Sequence, residues 1–288
     1  MGRRFTYYNS SYASLVCTAE GLAFIAAHEA ATGLPMGLTQ KQAVCGFVSR
    51  LMGVGTTNSS DLWTLFLAKG TLIHPLTPVN NTTANASAYS MELMSASSIG
   101  IYVNFVSGDF TPTGVIGGST KYFDSSKTPN NFSLNSQLHG AYINSGATVS
   151  AIQYVFGSIG SSNTMLQFRT GSPSTAYATQ NSNSFHSSGL DFNSLWFSGR
   201  NNSTQQFYQV DLVTPETEGK TSAAQSTAYN IYFHGANSSG TLSLPASDLS
   251  LAMYFLNMPS NLNAAQRTDL LEAVQWYQTN VITGGRNV

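Results

Sequence analysis

Apolar positions along the chain follow two periods, and the change from one to the other divides it. Thr18 precedes a helical stripe of Leu22, Ile25, Ala26 and Glu29 that runs to about Ala31, with Gly33 as its stop. Thr39 and Gln42 have the spacing of a capping box for a second helix, with Val44, Phe47, Val48 and Leu51 inward and Gly53 near its end. Ser60-Asp61 opens a third, almost wholly apolar through Leu62, Trp63, Leu65 and Phe66, and so predicted to be buried. Past the breakers His74-Pro75-Leu76-Thr77-Pro78 the period falls to two. Strands are predicted at 99–106, around Tyr142, and at 151–156, 165–170, 195–199, 207–213, 229–234 and 249–256. Leu166 and Phe168 oppose Gln167 and Arg169, Tyr208, Val210 and Leu212 oppose Gln209 and Asp211, and Tyr229, Ile231 and Phe233 oppose Asn230 and His234. Each of these strands is expected to hide one face. The last strand alternates through Leu249, Leu251, Met253 and Phe255, then hands over to a closing helix. That helix is capped by Asn263 with Gln266 and is apolar at Leu270, Leu271, Val274, Tyr277 and Val281.

Many short strands separated by Gly, Asn and Ser turns, with no helices between them, predict a mainly β chain folded as an antiparallel two-sheet sandwich. Three regions follow: an extended N-terminal arm over 1–17, a helical region over 18–70, and a sandwich over 71–288 closed by the C-terminal helix at 263–281. With no helix expected between 71 and 258, the closing helix must pack outside the sandwich beside the N-terminal helices. Trp63, Phe66, Leu270, Leu271, Val274 and Tyr277 are the expected anchors of that seam.

Charged residues make up 9% of the 288 positions, far below the roughly 25% of an ordinary globular domain. The surface is therefore expected to be rich in hydroxyls and amides. A net charge of -1 gives no basic footprint for nucleic acid. The best apolar run, Gly21 to Ala31, is interrupted by His28 and Glu29, so no membrane span is expected. Arg3-Arg4 leads into a stretch too polar for a signal peptide, and the short myristoylation-like pattern at Met1 to Thr6 is set aside as a chance match. Cys17 and Cys45 are too few for a disulfide framework and are expected as buried free thiols in preference to a bridge or metal site.

Candidate chemistry is sparse. His28-Glu29-Ala30-Ala31-Thr32 begins like a zincin helix but places Thr32 where the second His ligand belongs, so His28 is read as a partly exposed helix residue. His74, His139, His186 and His234 have no neighbours at ligand spacing, and no metal or cofactor is expected. Gly53-Val54-Gly55 lacks the third glycine of a dinucleotide turn. Glu92, Asp109, Asp124 and Asp191 stand alone, while Asp211, Glu216 and Glu218 straddle Pro215 in what reads as a solvated turn, so no catalytic residue is assigned. Tyr7, Tyr8, Tyr12, Tyr89, Tyr177 and Trp196 are the aromatics considered for stacking on sugars, with core or subunit packing as the simpler reading; the glycan site itself is unassigned.

Several stretches, in order, resemble a group of bacteriophage virion proteins with a concanavalin A-like, lectin-like jelly roll. They are Phe24-Ile25-Ala26-Ala27, Leu38-Thr39-Gln40-Lys41-Gln42-Ala43-Val44, Leu62-Trp63-Thr64-Leu65, Phe110-Thr111-Pro112-Thr113-Gly114-Val115, Lys121-Tyr122-Phe123-Asp124, Leu134 to Ile143, and Ala264 to Gln278. The resemblance implies a lectin-like sandwich after a small helical region, carried on a virion as a spike, fibre or capsid-decoration subunit. It implies a homo-oligomer, often a trimer, in contact with other virion proteins, and no catalytic residues. Asp191-Phe192-Asn193 is too compressed for the metal cluster of calcium-dependent lectins, which argues against calcium-dependent sugar binding.

The leading expectation is a non-enzymatic virion structural protein with a role in host attachment. A carbohydrate-binding, lectin-like module is the alternative, and a polysaccharide-degrading enzyme comes third. Val274→Asp, which puts a charge into the seam, is expected to prevent folding or assembly; unchanged melting temperature and unchanged size on gel filtration would refute that placement.

Overall fold

The computed structural model describes residues 6–8, 15–75, 91–98, 100–111, 113–144, 152–160, 162–169, 175–182, 186–189, 194–212, 216–247 and 249–282. The chain is a mainly β, two-sheet sandwich with helices before and after it. The first sheet runs Glu216–Gly219, Gln205–Val210, Leu195–Arg200, Gln137–Ile143, Ser250–Met258, Gly114–Ile116, Phe110–Thr111, and Leu72–Pro75 also pairs with Ser250–Met258. The second runs His186–Gly189, Thr175–Ser182, Asn163–Arg169, Gln153–Ile159, Tyr232–Phe233, Tyr122–Asp124, Ile101–Val103. Neighbours along both paths are antiparallel; a parallel pair forms where Ala236–Ser238 runs beside Gln153–Ile159.

Four helices, α1 (Ala19–Thr32), α2 (Leu38–Leu51), α3 (Leu62–Lys69) and α4 (Ala264–Asn280), cover the outer side of the first sheet. That sheet is therefore buried on both faces. Tyr142, Phe197, Phe207 and Phe255 pack with the helices, while the alternate Ile143, Trp196, Tyr208 and Tyr254 pack against the second sheet. The expectation that each strand hides one face fails for this reason. It fails on the second sheet too, where Met165 and Gln167 are as inaccessible as Leu166 and Phe168, and Met165 packs with Tyr154 and Ala236.

The closing strand departs from simple alternation. Tyr142 pairs with Met253 but Ile143 with Leu251, leaving Ala252 as an extra residue. A bulge of this kind inverts which residues face which side. Leu249 and Leu251 consequently enter the sandwich, whereas Met253 and Phe255 face the helices.

The helix limits follow local chemistry. Thr18 Oγ1 accepts the Gly21 N–H at 3.1 Å and Gly33, at φ 68°, ends α1. Its buried face is Gly21, Phe24, Ile25 and His28, not the expected stripe: Ala26 is exposed and Glu29 turns outward to Lys41 at 2.8 Å. Helix α2 starts at Leu38, because the Gln40 side chain reaches back to the Gly37 N–H at 3.1 Å, and Thr39 is not its cap. Asp61 caps α3 as expected, but Leu67 is 59% exposed, so that helix is covered on one side only. The 229–234 strand is limited to Tyr232–Phe233, and Glu216–Gly219 is an edge strand where a turn was expected.

Cys17 and Cys45 form a disulfide, with Cα atoms 4.8 Å apart, in place of the expected free thiols. The turn after α1 folds α2 back, so the residue before α1 meets the middle of α2, a meeting that no local spacing encodes. The described part of the N-terminal arm is a hairpin, Thr6–Tyr8 against Leu15–Cys17, tied at Cys17.

Trp63, Phe66, Leu270, Val274 and Tyr277 all lie in the core shared by the helices and the first sheet, and Leu271 packs at its edge, half-buried. Helix α4 is fastened by a carboxylate. Asp269, fully buried, accepts the N–H groups of Asn58 and Ser60 at 2.9 and 2.7 Å and the Asn58 amide at 3.1 Å. Beside it Glu272 takes the Thr57 N–H at 2.9 Å. Across the same seam Gly46 of α2 meets the Trp276 indole so closely that a Cβ there would overlap it.

Burial alone would raise the Asp269 pKa, but its bonds from Ser60 and Asn58 outweigh that and hold it below the usual range. A carboxyl depressed in the folded state stabilises the fold above its unfolded pKa and ceases to do so as pH falls through the folded value. Asp269→Ala is expected to cost on the order of 3 kcal/mol at pH 7, read from urea denaturation. The variant should also show a flatter stability profile than the parent below about pH 4; equal profiles would refute the fastening role.

Candidate functional site

At one end of the second sheet, Tyr122–Asp124 lies between Ile101–Val103 and Tyr232–Phe233. Tyr102, Phe123 and Phe233 belong to the core between the sheets. The period of two therefore turns Ile101, Val103, Tyr122, Asp124 and Tyr232 outward. The outward set forms an open platform: Ile101 is 62% exposed, Tyr122 and Asp124 are half-buried, and Tyr232, 7% exposed, sits beneath.

Its geometry is specific. The Tyr122 and Tyr232 rings stack with centroids 4.2 Å apart and 21° between planes. Asp124 stands directly across from Tyr232 in the register. Its Oδ1 accepts the Ser126 N–H at 2.8 Å and the Asn230 amide at 2.9 Å, while Oδ2 takes no hydrogen bond from the described residues. Burial, the neighbouring Tyr122 and Asp124 and a hydrogen bond with Tyr122 together push the Tyr232 hydroxyl above the ordinary phenol range, so it stays neutral. Two phenols, one half-free carboxylate and one amide thus share an exposed face. Such a set can hold a polyhydroxylated ring, with C–H groups against the aromatic surface and hydroxyls donating to Asp124.

A second concavity, of about 370 Å3, opens between α4 and the turn after Gln205–Val210 and is lined by Asp211, Leu212, Arg267, Leu271, Glu272 and Gln275. Several of its polar groups already have partners. Asp211 accepts the Leu195 N–H at 2.8 Å, both Glu272 oxygens bond to Thr57, and Arg267 donates to the Leu262 carbonyl at 2.6 Å. These bonds close turns.

The residues considered from the sequence lie apart. His28 is buried at 2% exposure on the inner face of α1, not partly exposed. His74, His139 and His234 are fully buried, with His74 and His234 both packed against the Tyr254 ring; His186 is on the edge strand of the second sheet. Glu92 is fully buried and accepts the N–H groups of Met94 and Ser95 at 2.7 and 2.6 Å. Asp109 pairs with Lys121, and Glu218 with Gln206 and Lys220. Trp196 is fully buried against Phe168 and Tyr208. Tyr7 and Tyr8 lie in the N-terminal hairpin and Tyr177 in the Thr175–Ser182 strand. Tyr12, Tyr89 and Asp191-Phe192-Asn193 fall outside the described residues. Among those residues no three His, Cys, Asp or Glu side chains gather as metal ligands, and no helix is long and apolar enough to cross a membrane.

Of the platform, only Asp124 was singled out beforehand, and as a solitary carboxylate. The available signal was the pair of i, i+2 spacings, Tyr122 with Asp124 and Asn230 with Tyr232, opposite the apolar Phe123, Ile231 and Phe233.

No protein-family model and no curated protein sequence matches the chain. Among solved structures, Trypanosoma rangeli sialidase in complex with sialic acid is similar at a TM-score of 0.45 and 11% identity over 71% of this chain and 33% of its own. The Ruminococcus gnavus IT-sialidase CBM40 gives 0.38 and 12% over 60% of this chain and 95% of its own. The binding domain of botulinum neurotoxin DC in complex with SialylT gives 0.42 and 14% over 71% and 52%. The chain thus spans about a third of the sialidase and half of the neurotoxin domain.

The buried histidines make the fold acid-sensitive. His139 Nδ1 accepts the Asn257 N–H at 3.3 Å and its Nε2 bonds to Gln137 at 2.7 Å, a pattern that requires the neutral ring. Burial, with nearby Lys69, lowers its pKa to about 3. Burial also lowers His234, bonded to the Tyr254 hydroxyl at 2.7 Å, to about 3, and His28 to about 4. All three fall below the unfolded value, so their contribution is complete above about pH 6.5 and is lost progressively as pH falls toward the folded values. The melting temperature is expected to drop steadily from pH 7 to 4.5, with a shallower drop in His139→Gln; parallel profiles would refute this assignment.

Proposed function

We propose that this protein is a non-catalytic carbohydrate-binding module, with its site at Tyr122, Asp124, Asn230 and Tyr232 on the open face of the second sheet. The observation that carries this reading is the stacked tyrosine pair beside a carboxylate with one uncommitted oxygen. Aromatic surface together with a hydrogen-bond acceptor is what a neutral-to-polar ring of alternating C–H and O–H groups requires. A non-enzymatic role is supported by the partners already held by Asp211 and Glu272 in the groove under α4.

The sequence resemblance extends the proposal to a subunit of a phage particle that assembles as a homo-oligomer and binds the host surface. Exposed apolar side chains at Val106, 62% accessible, and Ile116, 40% accessible, offer a surface for such subunit contacts. Locating the protein in the density of purified particles tests that extension independently of sugar binding.

Tyr122→Ala is expected to remove at least about 1 kcal/mol of binding, or fivefold or more in affinity, on the glycans bound by the parent in an array. Its melting temperature should stay close to the parent's because Tyr122 is half-exposed. Undiminished binding by a folded Tyr122→Ala protein, or an array with no bound glycan, would overturn the site.

A further inference from the structure

We infer that the platform selects neutral sugars and rejects acidic ones, a specificity that rests on the carbohydrate-binding reading above. Asp124 contributes a negative charge, and its free Oδ2 can only accept while it is ionised. Asn230 donates one amide N–H to Asp124 Oδ1 at 2.9 Å and carries no charge. Tyr232 is neutral and hydrogen-bonded to Tyr122. The carboxylate is thus the charged group of the platform, set among phenol and amide groups that are neutral. Sugar hydroxyls can donate to Asp124 Oδ2; a uronate or sialate carboxylate can only accept there and brings a like charge.

Lys121, adjacent to Tyr122 in sequence, is turned away into an ion pair with Asp109, whose other oxygen holds the Val106 N–H at 2.7 Å. No ion pair joins Asp124 to a lysine or arginine among the described residues. The arrangement is the opposite of an anion site, which needs a guanidinium or convergent N–H groups. The Ser126 N–H that might serve one is already consumed by Asp124 Oδ1.

The stacked rings sharpen the requirement. With one face of Tyr122 against Tyr232, the ligand meets the remaining aromatic surface and the apolar side chains of Ile101 and Val103. A pyranose with an uninterrupted C–H face above and hydroxyls directed at Asp124 satisfies both parts at once.

The test compares matched probes on the full chain: the methyl glycosides of galactose, glucose and mannose, each with its uronic acid counterpart, and 3′-sialyllactose. Binding is read by titration calorimetry and by shifts of tyrosine ring resonances at pH 7, in low and in 0.5 M salt. At least one neutral glycoside is expected to bind, with its uronate weaker by about fivefold at low salt, from one like-charge contact at the protein surface. High salt should narrow that gap. Asp124→Asn preserves an acceptor for Ser126 and removes the charge, so it should bring the neutral and acidic forms to within about twofold, one unit charge no longer opposing the uronate. Equal binding of both forms by the parent, a preference for the acidic form, or a ratio unmoved in a folded Asp124→Asn protein would each overturn this specificity while leaving sugar binding intact. Binding of none of the probes would overturn the carbohydrate-binding reading itself.

Discussion

The rest of the structure depends on the burial of the first sheet on both faces. Its central strand, Ser250–Met258, is inaccessible from Leu251 onward and pairs with Gln137–Ile143 on one side and with Leu72–Pro75 and Gly114–Ile116 on the other. A strand with no solvated face must find apolar partners in two directions, and the chain supplies them from its two ends and its middle. The helices before the sandwich and the one after it meet on one side; the second sheet closes the other. Removing either layer would expose a row of Phe, Tyr and Trp side chains, which is why the helical region and the sandwich share one core.

That double coverage leaves polar groups in the interior, and they are handled by pairing and by neutrality. Asp269 keeps its charge because N–H groups of Asn58 and Ser60 point at it, and Glu92 accepts the N–H groups of Met94 and Ser95. His139 and His234 remain neutral because burial disfavours the charged ring. The disulfide between Cys17 and Cys45 adds a covalent tie where the N-terminal hairpin meets α2.

The platform differs from all of these because its donors and acceptors are incompletely matched and face outward. The first sheet is closed on both sides over its central strands. Among the described residues the second sheet is open near Ile101–Val103, where Tyr122 and Asp124 meet Asn230 and Tyr232 from a segment more than a hundred residues away. The paired strands hold the two rings stacked.

Local patterning by itself determined the elements and their class. Thr18, Asp61 and Asn263 mark helix starts through hydrogen bonds within three residues, and Gly33 marks a stop through its left-handed backbone, so those limits were legible. The period of two after residue 71 implied a sandwich, and the seam residues from Trp63 to Tyr277 were legible as apolar positions. Only the tertiary structure decided which face each residue occupies. The bulge at Ala252 inverts the last strand, α1 buries His28 in place of Ala26, and α2 is capped at Gly37 by the Gln40 side chain. It also decided every meeting between distant residues: Cys17 with Cys45, Asp269 with Asn58, and Tyr122 with Tyr232. Periodicity records what each residue prefers as a neighbour, whereas these pairings depend on how whole layers stack, and that information is not carried by any short stretch of chain.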